Sequence, residues 1–384
     1  MKRIAIFGST GSIGESTLNV IRENPDKFSA VTLVAGKNVE KLISQIREFK
    51  PHSVYIISES DARLVSSLFP EVEVYFGDEG MNKISLLTDF DIGVSALVGI
   101  AGLKPTYHMI KNGKTVALAN KEVLVAGGRL IMETAEKSGA CLLTVDSEHS
   151  AIMQCLRGED SKKIDKILLT ASGGPFWEKE INDDITPEMA LDHPTWKMGP
   201  KVTIDSSTMM NKGFEVIEAK WLFGVEPSQI EVVVHRKSLV HSMVQFSDGT
   251  IMANIAPKSM QIPIAYALSC PERLPNNISK LDIFEVSELK FEKPDLEKFP
   301  CLSLAYTASE RGHSSQVVLN AANEVAVAEF LAGRIKYTDI YKIVSHMIDA
   351  YSDKALDDVD EILAYDAEVK TETKKYIDTK GEKR

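Results

Sequence analysis

The sequence predicts an α/β chain: a doubly wound N-terminal domain over residues 1–150, a central α+β domain over 151–269, a linker over 270–300 and a C-terminal α-helical domain over 301–384. Three observations predict it. Up to Ser150, short apolar runs alternate with helix-like segments, the pattern of parallel strands joined by crossover helices. After Ser150 the strand candidates become neighbours, and beyond Pro300 only helical spacing remains.

Residues 3–7 read as a buried strand and 13–23 as the helix after it. Residues 30–35 are rich in β-branched side chains and 39–49 are amphipathic at helical spacing. Further strands are expected at 54–57, 92–95, 115–117 and 142–145. In the central domain, 166–170 is a strand running into Ala171-Ser172-Gly173-Gly174-Pro175, a turn. Residues 186–201 carry three prolines and Gly199 and are expected to be irregular, whereas 207–223 reads as one helix. Strands follow at 231–235, 242–246 and 251–256, the last two joined as a hairpin across Ser247-Asp248-Gly249-Thr250. Four prolines, Pro271, Pro275, Pro294 and Pro300, suggest a linker. Helices are expected at 303–311, 316–332, 337–349 and 358–376, ending in a charged, frayed tail.

Composition narrows the function. Hydrophobic residues make up 44% and charged residues 26%, ordinary for a soluble globular protein, and the net charge is −11. That balance argues against nucleic acid or an anionic membrane as partner, but not against an anionic small molecule held by a few local donors. The four cysteines, Cys141, Cys155, Cys270 and Cys301, show no metal or disulfide spacing and read as free thiols in a reducing cytoplasm. No signal peptide or membrane span is expected.

Gly8-Ser9-Thr10-Gly11-Ser12-Ile13-Gly14 follows a strand and opens a helix. Glycines there admit a diphosphate close to the backbone, and the helix N-terminus supplies N–H donors. This is the Rossmann-like context for a dinucleotide. At the end of the second strand, NAD sites place a carboxylate for the ribose diol; here stand Gly36, Lys37 and Asn38. A cation and an amide suit a 2′-phosphate, so NADP is expected.

Asp146 and Glu148 follow the strand 142–145. If the chain stays extended there, both side chains point one way, and two convergent carboxylates call for a cation. In the helix 207–223, Asn211, Glu215 and Glu218 share one face and Phe214, Ile217 and Trp221 the other. Glu215 would complete an all-oxygen site, which selects hard cations such as Mg²⁺ or Mn²⁺. The alternative is an N-cap Asp, a solvated Glu and a solvated helix face. Ser172, Gly173, Gly174, Ser206, Ser207, Asn211 and Lys212 offer hydroxyls, backbone donors and a cation suited to phosphate. Trp196, on a Pro/Gly-bounded loop at 186–200, suggests a lid or, in the plainer reading, a core anchor.

Eight motifs in order resemble those of the 1-deoxy-D-xylulose 5-phosphate reductoisomerase family: GSTGSIG at 8–14, AGKN at 35–38, LANKE at 118–122, DSEH at 146–149, SGGPF at 172–176, HPTWKMG at 193–199, DSSTMMNKGFE at 205–215 and NAANEVAV at 320–327. The resemblance implies divalent-metal carboxylates at Asp146, Glu148 and Glu215, with Mg²⁺, Mn²⁺ or Co²⁺ as the ion. It implies substrate contacts at Ser147, Ser172, His193, Ser206, Asn211 and Lys212, mostly to the phosphate end, and a lid carrying Trp196 and Met198. Cofactor contacts are implied at Gly8, Ser9, Thr10, Gly11, Ser12 and Ile13, with the 2′-phosphate at Gly36, Lys37 and Asn38. Asn120, Lys121 and Glu122 match the segment where cofactor and substrate meet, with Lys121 ordering both. Gly199, Ser238 and Met260 match further cofactor contacts, the last two from the second domain toward the nicotinamide. The implied protein is a cytoplasmic homodimer. It converts a phosphorylated sugar with NADPH to 2-C-methyl-D-erythritol 4-phosphate in the non-mevalonate isoprenoid route.

Two other readings remain open on the residues. A simple NADP-dependent reductase without isomerisation would turn over without metal. An NADP-sensing regulatory protein would need no carboxylate set.

Overall fold

The computed structural model describes residues 1–196 and 198–381. Of the expected lid loop, Lys197 lies outside the described residues, as do residues 382–384 of the tail. The chain divides into two units. The first comprises residues 1–123, 131–150 and 259–279, and the second 124–130, 151–258 and 280 onward.

In the first unit, β1 (Lys2–Phe7), β2 (Phe28–Val34), β3 (Ser53–Ile56), β4 (Glu73–Phe76), β5 (Ile92–Ser95), β6 (Thr115–Leu118) and β7 (Leu142–Thr144) form one sheet. Its order is β4-β3-β2-β1-β5-β6-β7, and each adjoining pair is parallel. The strand order reverses at β1, so the carboxyl ends of β1 and β5 border the crevice where doubly wound sheets bind ligands. Ile4, Ile6, Leu33, Val54 and Val94 are buried in one core with Leu18 and Ile21 of helix Ser12–Glu23 and Leu42 and Ile46 of helix Val39–Phe49. Strand β4 was not expected. Its residues, Glu-Val-Tyr-Phe, are exposed or half-buried, so this edge strand shows no apolar run.

The expected boundary at residue 269 is corrected. Helix Gln261–Ser269 belongs to the first unit, where Ile264, Ala267 and Leu268 join the core beside Leu18 and Ile21. Lys2 Nζ donates to Leu268 O at 3.0 Å, and Lys27 pairs with Glu272 at 3.4 Å. The helix is buried from Pro263 to Ser269, so nothing in its residue pattern marks which unit it joins.

In the second unit, β8 (Ile164–Ala171), β9 (Ile230–Val234), β10 (Val240–Phe246) and β11 (Ile251–Ile255) form a mixed sheet of order β11-β10-β8-β9. Strands β8 and β9 are parallel, and β10 runs antiparallel to both β8 and β11. Helices Pro300–Arg311, His313–Leu331, Tyr337–Ala350 and Val359–Gly381 belong to this same unit. The C-terminal region is helical as expected, and it shares one unit with the mixed sheet. A Cβ on Gly213 would lie 2.6 Å from Ala305 Cβ, so helices Met210–Phe223 and Pro300–Arg311 meet at near-backbone distance. The expected frayed tail is helical to Gly381.

Residues 186–201 are not wholly irregular. Thr186 caps a short helix, Pro187–Leu191, by accepting from Met189 N, and Pro200 opens helix Pro200–Ser207. Proline at the first helical position costs no hydrogen bond, so it starts these helices and does not break them. The single helix expected at 207–223 is interrupted at Met209, which sits at φ 61° between two helices.

Candidate active site

The glycine turn after β1 is forced into its shape by contact. Gly8 has φ +104°, and a Cβ there would lie 2.4 Å from Ala96 O; a Cβ on Gly14 would lie 2.3 Å from Gly8 O and 2.4 Å from Ser9 O. The N–H groups of Gly8 and Ser9 both donate to Val34 O at 2.9 Å, tying the turn to β2. Ser9 is fully buried, Thr10 and Ile13 are half-buried and Ser12 is exposed. Gly11 is the N-cap of helix Ser12–Glu23, and no side chain caps it. First-turn N–H groups are thus left for an anion, the feature a diphosphate requires. Gln45, which sequence reasoning missed, donates from Nε2 to Ser9 O at 3.0 Å. The available signal was a glutamine on the apolar stripe of helix Val39–Phe49.

Gly36, Lys37 and Asn38 follow β2, with Lys37 and Asn38 exposed. Asn38 Oδ1 accepts from Lys41 N at 3.0 Å, so the amide caps the next helix and keeps only its Nδ2 for a ligand. Asn120 is 3% exposed. Its Nδ2 donates to Gly99 O at 2.8 Å and its Oδ1 accepts from Val123 N at 3.2 Å. It joins the loop after β5 to the start of helix Glu122–Ser138, whose first residue, Glu122, is buried.

The chain does not stay extended from Asp146 to Glu148. Strand β7 stops at Thr144, and helix Ser147–Cys155 begins three residues later. The carboxylates approach through a capping turn instead: Asp146 Oδ1 accepts from Glu148 N at 3.2 Å, and Ser147 Oγ donates to Glu148 Oε2 at 2.6 Å. Ligand oxygens of Asp146 and Glu148 lie within 4.8 Å of one another. Lys121 Nζ is 2.8 Å from Asp146 Oδ2, and the fully buried His149 is 3.4 Å from Asp146 Oδ1. Burial would raise the Asp146 carboxyl, but Lys121 and His149 outweigh it and hold it well below the usual carboxylate range. His149 was missed as a positioning group, although its place three residues after Asp146 is visible in the sequence.

On the second unit, Ser172 follows β8, and Gly173 and Gly174 turn with φ of +80° and +67°. His193 Nε2 lies 3.3 Å from Ser172 Oγ and 3.1 Å from Ser206 Oγ. The N–H groups of Thr195 and Trp196 donate to His193 Nδ1 at 3.2 and 3.0 Å, which assigns the ring proton to Nε2. Burial, with the Arg236 guanidinium second, pushes this imidazole down to about 4. His193 is therefore a neutral donor at pH 7. Arg236 Nη1 donates to Ser172 O at 2.5 Å and Gly174 O at 2.9 Å, holding the turn. Nothing local in the sequence marked Arg236.

Helix Met210–Phe223 does not present a solvated polar face. Lys212, Glu215 and Glu218 are all buried along with Phe214 and Ile217. Asn211 Nδ2 donates to Glu215 Oε1 at 2.6 Å, and Lys212 Nζ pairs with Glu215 Oε2. Trp196 is half-buried, its ring centroid 6.4 Å from that of His241. Met198 is half-buried beside it in sequence, and exposed Gly199 caps helix Pro200–Ser207. Ser238 is buried at φ 46°, donating from its N–H to His235 O at 3.0 Å. Met260 packs against the core of the first unit, not the second as expected.

Family models for 1-deoxy-D-xylulose 5-phosphate reductoisomerase match residues 4–128, with models of its C-terminal domains at 142–223 and 255–372. A 1-deoxy-D-xylulose 5-phosphate reductoisomerase of Chloroherpeton thalassium is 49% identical, covering 100% of this chain and 99% of its own. One from Nitrosomonas eutropha is 45% identical over 99% of this chain and 95% of its own. Among solved structures, a reductoisomerase in complex with NADPH, fosmidomycin and magnesium superposes with a TM-score of 0.93 at 39% identity, covering 98% of each chain. That of Zymomonas mobilis in complex with NADPH gives 0.92 at 37%, covering 98% of this chain and 99% of its own. With this similarity along its whole length, the chain belongs to the 1-deoxy-D-xylulose 5-phosphate reductoisomerase family.

Proposed function

We propose that this chain converts 1-deoxy-D-xylulose 5-phosphate and NADPH to 2-C-methyl-D-erythritol 4-phosphate with a divalent cation, serving the non-mevalonate isoprenoid route in the cytoplasm. The observation that carries this reading is the Asp146–Glu148 carboxylate pair at the carboxyl end of a parallel sheet in a chain of this family. The residues fit both groups. The uncapped turn Gly8–Gly14 suits a diphosphate and Lys37 a 2′-phosphate. Asp146, Glu148 and, by the family resemblance, Glu215 would supply hard oxygen donors for Mg²⁺ or Mn²⁺. When bound, the cation supplies Lewis-acid polarisation of the substrate's oxygens and NADPH supplies the hydride.

The chain's own residues do the rest. Lys121 keeps Asp146 ionised and directs one of its oxygens. Neutral His193 offers its Nε2–H to the phosphate end beside the hydroxyls of Ser172 and Ser206, with Asn211 and Lys212 as further donors. Ser147 orients Glu148. Trp196 and Met198 lie on the loop that would close over substrate and keep water from the reacting atoms.

NADPH oxidation with this substrate should require Mg²⁺ or Mn²⁺, stop with a chelator and fail with NADH. Oxidation undiminished by chelation would favour the simple reductase, and tight NADPH binding without turnover under any metal would favour a sensor.

The homodimer reading is supported by β11. It is an edge strand, and Ile251, Met252 and Ile255 are 50%, 37% and 40% exposed, leaving apolar groups open on both faces. Such an edge invites pairing with a second copy about a twofold axis. Sedimentation should give twice the chain mass, and Met252→Lys with Ile255→Lys should release monomers. A wild-type monomer would end this reading.

A further inference from the structure

We propose that Asn323 and Tyr337, far along the chain from the carboxylates and the glycine turn, are positioning residues for the phosphate end of the substrate. They act through helix Pro200–Ser207, and the inference rests on the reading of Ser206 as a phosphate contact. That helix has eight residues and no side chain at its N-cap, and it ends against the left-handed Met209. A helix this short has no orientation of its own; its packing decides where Ser206 points.

Two buried hydrogen bonds set that orientation, one on each side of Ser206. Asn323 Nδ2 donates to Asp205 Oδ1 at 2.8 Å, and Tyr337 Oη donates to Ser207 Oγ at 3.1 Å. Asn323, Asp205, Ser207 and Tyr337 are all buried. Asp205 Oδ2 is 2.7 Å from Lys201 Nζ, whose ammonium lies 4.6 Å from the Phe214 ring centroid. Asp205 is thus held from within its helix by Lys201 and from outside it by Asn323.

Two details point beyond simple packing. Asn323 Oδ1 is buried with no hydrogen-bond partner among the described residues. An amide kept at such a position for its donor end alone has a use other than stability, because a buried unsatisfied acceptor is costly. The Tyr337 ring packs edge-on against Phe176 at 5.3 Å and Phe330 at 5.6 Å. Phe176 directly follows the Ser172–Pro175 turn, so Tyr337 touches the supports of both hydroxyls that flank His193. Asn323 also lies in the NAANEVAV stretch, to which the family resemblance attached no role.

The test is steady-state kinetics on the full chain with Mg²⁺, alongside melting temperatures. Asn323→Leu keeps the branched shape and removes both the donor and the unsatisfied acceptor. It should raise KM for the phosphorylated substrate about tenfold, leave kcat within about threefold and leave the NADPH KM unchanged. In a Ser206→Ala background the same substitution should change substrate KM less than about twofold, because the group it positions is gone. Tyr337→Phe, which keeps the ring, should show the same pattern at smaller size and carries the test if Asn323→Leu does not fold. If Ser206→Ala raises KM but neither positioning variant does, the inference is overturned and the phosphate reading stands. An equal effect in both backgrounds would make these residues general supports of the fold and overturn it as well. If Ser206→Ala itself leaves KM unchanged, the phosphate reading fails and the inference falls with it.

Discussion

Glu215→Gln is expected to lower metal-dependent kcat/KM by at least about 100-fold, with partial recovery as the metal concentration is raised. The substitution removes one of three proposed carboxylate ligands. It also alters a buried pair: Glu215 accepts from Asn211 Nδ2 at 2.6 Å and from Lys212 Nζ. A glutamine can accept from one of these but must turn its own N–H toward the other. Lys212, 5% exposed, would then lose this counter-charge. Breaking a buried ion pair of this kind costs about 3–5 kcal/mol, so the melting temperature should fall too. NADPH binding, measured by fluorescence, separates the two effects, because the glycine turn holds no part of this pair. Wild-type turnover with unchanged metal dependence would remove Glu215 from the ligand set.

Gly14→Ala should destabilise the protein by at least about 3 kcal/mol and weaken NADPH binding more than about tenfold. Its new Cβ would meet Gly8 O at 2.3 Å and Ser9 O at 2.4 Å, and both are backbone atoms. They cannot swing aside as a side chain would, because Gly8 N and Ser9 N are bound to Val34 O and Ser9 O accepts from Gln45. Relief therefore requires the turn itself to open, and the turn is what receives the diphosphate. Gly11→Ala offers the contrast: its nearest contact would be Gly8 O at an ordinary 3.4 Å, so the fold should survive it. Thermal melts and NADPH titration of both variants check the difference. Equal behaviour of the two would show that the turn is looser than these contacts imply.

Where local pattern and burial coincide, the elements were legible. Helix Val39–Phe49 and strand β5 lie where their spacing predicts, because each buries an apolar run or stripe with no competing signal. Strand β4 was not legible, since an exposed edge strand needs no apolar alternation. Prolines misled at Pro187 and Pro200, where they begin helices.

The candidate groups of the site, and the family they resemble, could be read from eight short motifs, because a ligand contact is a matter of residue type at one position. Their arrangement could not. Asp146 and Glu148 approach through an N-cap, not along a strand, and only the folded chain shows which of the two applies. Gln45, Arg236, Asn323 and Tyr337 act on residues 36, 64, 118 and 130 positions away, a separation at which sequence spacing carries no signal. Helix Gln261–Ser269 is apolar enough to be buried in either unit, and it joins the first because Leu18 and Ile21 present a complementary surface there. Residue type and period thus determined the elements and the chemistry on offer. Tertiary packing decided which of those groups are held still, because that depends on partners the chain brings back from far away.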